Sequence, residues 1–187
     1  MKRTQALSVV AIGPASTLAL VTLLGTQHAH ADLVGSWTVG TGAHESTVQI
    51  QFGNGNTYLY GVRYDGVETG QGLFEIIAAA QPGNFSFEVI SFSFGDALFG
   101  ITIGADSASG FGNPPAYLDY WHYWTRSDAA SVWDESFIGF GDRTVANGSW
   151  DGWVFDSASA PNAVPAPAAF ALLAGACMAR GTRRRVR

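Results

Sequence analysis

The residues in this chain best suited to bind a ligand are aromatic side chains that crowd together in the second half of the sequence. Flat apolar faces with polar edges allow tyrosine and tryptophan to stack on sugar rings or to enclose a planar molecule. Because Trp150 and Trp153 stand on opposite faces of a predicted strand, we expect at least one of them to be buried. The candidate ligand-binding residues are Tyr120, Trp121, Tyr123, Trp124, Trp133, Trp150 and Trp153.

Residues suited to catalysis are few. Outside the terminal segments only His44 and His122 are histidines, and the chain has no Gly-x-Ser-x-Gly motif for a nucleophile. His122 shares a face with Tyr120 and Trp124 on a predicted strand, where a structural hydrogen bond is its favoured role. We therefore predict no enzyme. A glycan-active enzyme stays open as an alternative, because fifteen acidic residues can supply a carboxylate pair in any fold.

The charge of the central region excludes several partners. All fifteen acidic residues lie in residues 32–156, where Arg63, Arg126 and Arg143 are the only basic ones, so this region has a net charge of −12. Such a charge repels nucleic acids and anionic lipids, and we predict no nucleic-acid partner. The sequence has no His-Glu-x-x-His motif and no calcium-binding Asp-x-Asp-x-Asp-Gly loop, and its single cysteine is Cys177. No metal site, cofactor or disulfide is therefore predicted.

Strands dominate the predicted secondary structure. Residues 47–52 alternate between apolar and polar, and Asn54-Gly55 then predicts a hairpin turn into a strand over residues 57–64. The alternation from residue 85 changes phase near Val89-Ile90, which indicates a β-bulge. Asn147-Gly148 predicts a second hairpin turn, which precedes the last predicted strand. The further predicted strands are residues 98–103, 118–125 and 150–155.

One segment has helical spacing instead. The apolar residues of 71–80 recur every three to four positions, Thr69 is a suitable N-cap, and Pro82-Gly83 ends the run. Residues 106–116 are predicted to form a loop. The fold class is therefore α+β, a mostly antiparallel β-sheet with one packed helix, and a β-sandwich with a helical insertion is the alternative.

Both ends of the chain indicate export. Lys2 and Arg3 precede an apolar run over residues 11–24, and Ala29-His30-Ala31 supplies a small-x-small cleavage site, with Ala29 and Ala31 as the small residues. At the other end a Pro-rich motif precedes the apolar residues 168–179. A helix of that length spans about 18 Å, short of the hydrocarbon core of about 30 Å. The C-terminal motif and arginine cluster are Val164, Pro165, Ala166 and Pro167, then Arg183, Arg184 and Arg185.

This C-terminal arrangement resembles the PEP-CTERM sorting signal of Gram-negative bacteria, with Ala166 where the commonest form has glutamate. The resemblance implies signal peptidase and an exosortase-type transpeptidase as partners. It also implies transient retention in the inner membrane, followed by a place on the cell surface or in the extracellular matrix. The expected organisation is a signal peptide (1–31), an acidic aromatic domain (32–156), a linker (157–163) and the sorting signal (164–187).

The domain itself resembles the transcobalamin C-terminal type of surface module, which has a helix after its first hairpin, a Tyr/Trp-rich strand and a closing aromatic strand after an Asn-Gly turn. Here residues 47–52, 69–80, 99–103, 120–124 and 143–155 follow that order. The resemblance implies a corrinoid or another flat small molecule as ligand. We therefore expect a non-catalytic, surface-sorted protein that binds an extracellular polysaccharide or a small flat ligand, or that has a structural role.

Overall fold

The fold is known from a computed structural model that describes residues 32–93 and 95–164. These residues form nine strands and one helix. In chain order they are β1 (Asp32–Gly40), β2 (His44–Gln51), β3 (Asn56–Tyr64), α1 (Gly70–Ala80), β4 (Phe85–Phe92), β5 (Gly95–Ile103), β6 (Asp106–Ser109), β7 (Trp121–Arg126), β8 (Asp134–Glu135) and β9 (Trp150–Phe155). The predicted β-rich α+β class is confirmed.

The strands form one large and one small sheet. The large sheet has the order β1-β3-β2-β9-β7-β8, and the small sheet has the order β4-β5-β6. Within the described residues, β1 with β3 and β2 with β9 are parallel pairs, and the other five pairings are antiparallel. The centre of the large sheet therefore consists of β2 and β9, which lie far apart in the sequence.

The core lies between the inner face of the large sheet and a layer made of α1 and the small sheet. Tyr58, Tyr60, Val62 and Tyr64 of β3 are all buried on this inner face, as their alternation predicts. Phe74 of α1 contacts rings from both sheets. Burying an aromatic ring removes a large apolar area from water, and these contacts join the two layers.

Several local predictions are confirmed. Thr69 is the N-cap of α1, and its Oγ1 accepts a 3.0 Å hydrogen bond from the Gly72 N–H. The β2–β3 hairpin turns at Asn54-Gly55, and Gly55 has a positive φ of 92°. The register between β4 and β5 shifts at Glu88/Val89, next to the predicted bulge.

Other local predictions are wrong. Residues 106–109, predicted as part of a loop, form the edge strand β6, and β1 was not predicted at all. Asn147-Gly148 makes a turn, but that turn does not join a hairpin. Instead, Asn147 Oδ1 accepts a hydrogen bond from the Glu45 N–H, and the Gly148 N–H donates to the Glu45 carbonyl. Glu45 lies at the start of β2, to which β9 runs parallel.

The termini carry predictions that lie outside the described residues. These are the signal peptide with its cleavage site at Ala29 and Ala31, and residues 165–187 of the sorting signal. Across residues 32–93 and 95–164, no helix has the length and apolar character needed to cross a membrane.

Candidate functional site

The pairing of β7 with β9 divides the predicted aromatic residues between the two faces of the large sheet. Tyr123 lies opposite Trp153, and Trp121 lies opposite Phe155, so these side chains share the inner face. Trp124 and Trp150 alternate with them and lie on the outer face. The seven candidates therefore do not form one site.

A cavity of about 520 Å³ opens between the two sheets on the inner side, and we call it the aromatic cleft. Tyr120, Trp121, Tyr123 and Trp153 of the predicted set line it. Residues 95–98 of β5 form another side, and residues 136–140 form a third. Its volume lies within the range of about 300–1,000 Å³ that is typical of small-molecule sites.

Several lining residues were not among the candidates, including the large apolar residues Phe111, Phe137, Ile138 and Phe140. Phe137 is 93% exposed, Ile138 59% and Phe111 43%. Their segments lack the period-2 alternation of a strand, so the sequence pattern did not predict that they line a site. The run Phe137-Ile138-Gly139-Phe140, three large apolar residues in an otherwise polar loop, is the signal that could have found them.

The buried side of the cleft is a stacked pair of rings. Trp153 and Tyr123 are nearly parallel, at 8°, with ring centres 4.2 Å apart. Phe140 meets the Trp153 ring edge-on. The indole Nε1 of Trp153 has no hydrogen-bond partner among the described residues, although only 3% of the residue is exposed. A buried donor without an acceptor is costly to the fold.

A buried polar group holds the stacked pair in place. The Tyr123 hydroxyl donates a 2.7 Å hydrogen bond to Asp151 Oδ2, and Arg143 Nη2 lies 3.1 Å from Asp151 Oδ1. Burial raises the pKa of Asp151, which is 1% exposed, while Arg143 and Tyr123 oppose that rise. Burial also raises the pKa of Tyr123, so its hydroxyl stays protonated. The Asp151 carboxylate therefore contacts side chains of the protein itself and is not accessible to solvent.

The N-terminus of α1 positions the loop beside the cleft. The N–H groups of Gly70 and Gln71 donate to the carbonyl oxygens of Arg143 and Phe140, at 3.1 and 3.0 Å. The first N–H groups of a helix have no partner within the helix, and here the loop supplies acceptors. The helix thereby fixes Phe140, a wall of the cleft.

The outer face carries a second aromatic group, the outer tryptophan cluster, made of Trp133, Trp150 and Arg126. The Arg126 guanidinium lies 4.2 Å from the centre of the Trp133 ring and 4.0 Å from that of Trp150. Burial lowers the pKa of Arg126, an effect that Asp128 opposes. The protein's own cation therefore occupies these ring faces. Trp124 lies on the same face, partly buried.

Residues 157–164, which we call the strap, lie against this outer face without helix or strand structure. Gln49 Nε2 donates to the Asn162 carbonyl at 2.7 Å, and the Asn162 N–H donates to Gln51 Oε1 at 3.0 Å. A Cβ at Gly152 would lie 2.6 Å from Pro161 and 2.9 Å from the Trp133 ring, so only glycine allows this close approach. The strap includes the predicted linker and ends at Val164, the first residue of the predicted sorting motif.

His122 lies on the outer face and is 4% exposed. Its ring centre is 3.8 Å from that of Tyr120, and its Nε2 has no hydrogen-bond partner within the described part of the chain. Burial lowers the pKa of His122, although Glu135 and a backbone hydrogen bond with Leu118 act in the opposite direction. Among the described residues, no three histidine, cysteine or acidic side chains group as metal ligands.

No protein-family model and no curated protein sequence matches the chain. The resemblances to PEP-CTERM proteins and to transcobalamin C-terminal modules therefore stay predictions.

Proposed function

We propose that this chain is an exported, surface-sorted binding protein without catalytic activity, and that the aromatic cleft is its binding site. The aromatic cleft is the observation that supports this proposal. Its walls are rings and aliphatic side chains from separate segments, and its volume of about 520 Å³ suits a small ligand or one or two sugar units. A flat ligand face, whether of a sugar ring, a corrinoid or another planar molecule, would stack against such walls.

The arrangement around the cleft favours binding over a purely structural role. The Asp151–Tyr123 hydrogen bond and the bonds from the N-terminus of α1 hold the inner wall in place. Phe137, by contrast, extends into solvent at the rim. Because this wall is already fixed, little binding free energy is lost to ordering it when a ligand binds.

Calorimetric titration of the purified chain with a corrinoid and with neutral and acidic polysaccharides tests this function. We expect saturable binding of one ligand class. Phe137→Ala should weaken it about 2- to 10-fold, the effect of one lost aromatic contact. Val67→Ala is the matched control, because Val67 is 82% exposed and does not line the cleft. Equal effects of the two variants would refute the cleft as the binding site, and absence of saturable binding by every ligand tested would refute the binding function.

Export and sorting need a separate experiment. We propose that the mature protein begins at Asp32 and has lost the C-terminal arginines, on the basis of the two terminal motifs. Intact-mass measurement of the protein released from its native membrane fraction tests both cleavages. A mass that retains residues 180–187 would contradict processing at the C-terminus.

A further inference from the structure

The charges around the aromatic cleft have one sign. Asp96 lines the cleft and accepts a 2.6 Å hydrogen bond from Ser91. Asp142 lies beside it, since its Oδ2 is 3.3 Å from the position that a Cβ on Gly95 would take and 3.9 Å from the same position on Gly139. Gly95 and Gly139 both line the cleft, so the Asp142 carboxylate lies next to its wall, although Asp142 itself does not line it.

The basic residues of the described chain are all placed elsewhere. Arg126 is held between two tryptophans on the outer face, and Arg143 is paired with the buried Asp151. Arg63 lies on β3 opposite Glu45, away from the cleft. None of the three lines the cleft, and the charge of Arg143 is already paired with that of Asp151.

The aromatic walls of the cleft also favour a positively charged group. The π face of an aromatic ring is negative and attracts cations, most strongly where water is excluded. The cleft therefore combines flat apolar walls, negative ring faces and a rim with two carboxylates. An anionic ring would be repelled there, and a neutral ring would gain nothing from the charges.

We infer that the ligand of the aromatic cleft is a planar aromatic cation, a flat ring system that carries a protonated amine or a quaternary nitrogen. The ring stacks between the walls, and the positive group lies toward Asp96 and Asp142. This inference rests on the proposed function, because it names the ligand class of the same cleft.

Three naphthalene derivatives with the same ring and different charges test it: 2-naphthylmethylamine as its cation, 2-naphthalenemethanol and 2-naphthoate. Titration calorimetry of the purified chain should show the cation binding about five-fold or more tighter than the alcohol at about 0.01 M salt. The carboxylate should bind weakest. At about 1 M salt the preference should largely disappear, because the charges are then screened.

Variants locate the source of the preference. Asp142→Asn, alone and combined with Asp96→Asn, should bring the cation's affinity close to that of the alcohol and leave the alcohol unchanged. Asp142 has no side-chain hydrogen bond that the single variant would break within the described residues. Glu45→Gln with Glu88→Gln is the matched control, because it changes the net charge as much as the double variant does, at residues outside the cleft.

The outcomes separate the two proposals. If the cation and the alcohol bind equally well, the charge inference is wrong and the binding function stands. If the control pair lowers the preference as much as the cleft pair does, overall charge and not the rim is responsible, and the inference is again wrong. If none of the naphthalene compounds binds, and the corrinoid and the polysaccharides do not bind either, both the binding function and the charge inference are wrong.

Discussion

The aromatic cleft and the outer tryptophan cluster are built from the same two strands, β7 and β9, but they differ in what contacts their rings. On the inner face, Tyr123 and Trp153 line an open cavity of about 520 Å³. On the outer face, Arg126 lies between Trp133 and Trp150, and the strap packs against Trp133. Alternation along each strand supplies rings to both faces, and the surrounding loops decide which face stays open.

This difference shows that a count of tryptophans does not locate a binding site. The outer cluster satisfies its aromatic faces with a cation from the same chain. The inner cleft is lined by rings that leave room for a ligand. Variants in each region test whether the outer cluster is structural and the cleft is for binding.

The largest effect should come from Asp151→Ala, below the cleft. The variant leaves Arg143 without its ionic partner and Tyr123 without its acceptor, and breaking a buried pair in this way costs about 3–5 kcal/mol of unfolding free energy. Urea denaturation measures it. The double variant with Arg143→Ala should lose less than the sum of the two single variants, since neither partner is then left alone. A loss below about 1 kcal/mol would show that the pair does not hold the cleft together.

Trp133→Ala should destabilise the outer face by about 2 kcal/mol, because it uncovers apolar area on Gly152 and removes one ring from Arg126. Ligand affinity should not change. Phe137→Ala should give the reverse pattern, with the stability within about 0.5 kcal/mol of the original and the affinity reduced. Thermal denaturation and calorimetric titration of both variants test this. If Trp133→Ala weakened binding, the separation of the two regions would fail.

Asp106 links the two sheets, and its loss should have a smaller, pH-dependent effect. Asp106 accepts hydrogen bonds from Asn54, Asn56 and Tyr58, of 3.0, 2.8 and 2.5 Å. The Tyr58 bond, with those from the two asparagines, holds the pKa of Asp106 below its ordinary value of 3.8. A lowered pKa in the folded state stabilises the fold above the unfolded value, and this stabilisation disappears as the pH falls through the folded pKa.

Asp106→Asn should therefore cost about 1–2 kcal/mol near neutral pH, as expected for charge-assisted hydrogen bonds. The difference from the original chain should shrink once the pH falls below 3.8. Denaturation measured across the acid range provides the comparison. A difference that stayed constant with pH would mean that the charge of Asp106 does not contribute.

The smallest effect should come from Arg126→Met, which keeps a long side chain between Trp133 and Trp150 but removes its charge. We expect a loss of about 1 kcal/mol, the scale of a partly exposed cation–π contact. Tryptophan fluorescence during urea denaturation follows it. A much larger loss would indicate that the outer cluster depends on the charge of Arg126 more than on packing.

Local signals made the helix and the first hairpin predictable. The Thr69 cap, the Asn54-Gly55 turn and the phase change beside Val89 each act within a few residues, and a short window of sequence contains them. The strand β1 could not be predicted in that way. It pairs in parallel with β3, and a parallel pair has no connecting turn to mark it.

The candidate site was predictable only in part, for the same reason. The sequence shows that β7 and β9 carry aromatic residues, but the division of these residues between two faces depends on which sheet packs on which side. The wall that the sequence did not predict contains Phe137 and Phe140 and lies in a loop. Hydrogen bonds from the N-terminus of α1 hold this loop beside the cleft. Those contacts span about 70 residues of sequence, and no local pattern records them.

The strap has a mechanical consequence. Residue 164 follows a segment that is bonded to Gln49 and Gln51 on β2 and packed on Gly152 of β9, the two central strands of the large sheet. A pulling force on the chain beyond residue 164 would enter the fold at the middle of this sheet, and the exposed edge strands would be spared. Before it reaches β9, that force must first break the contacts of the strap with Gln49, Gln51 and Gly152.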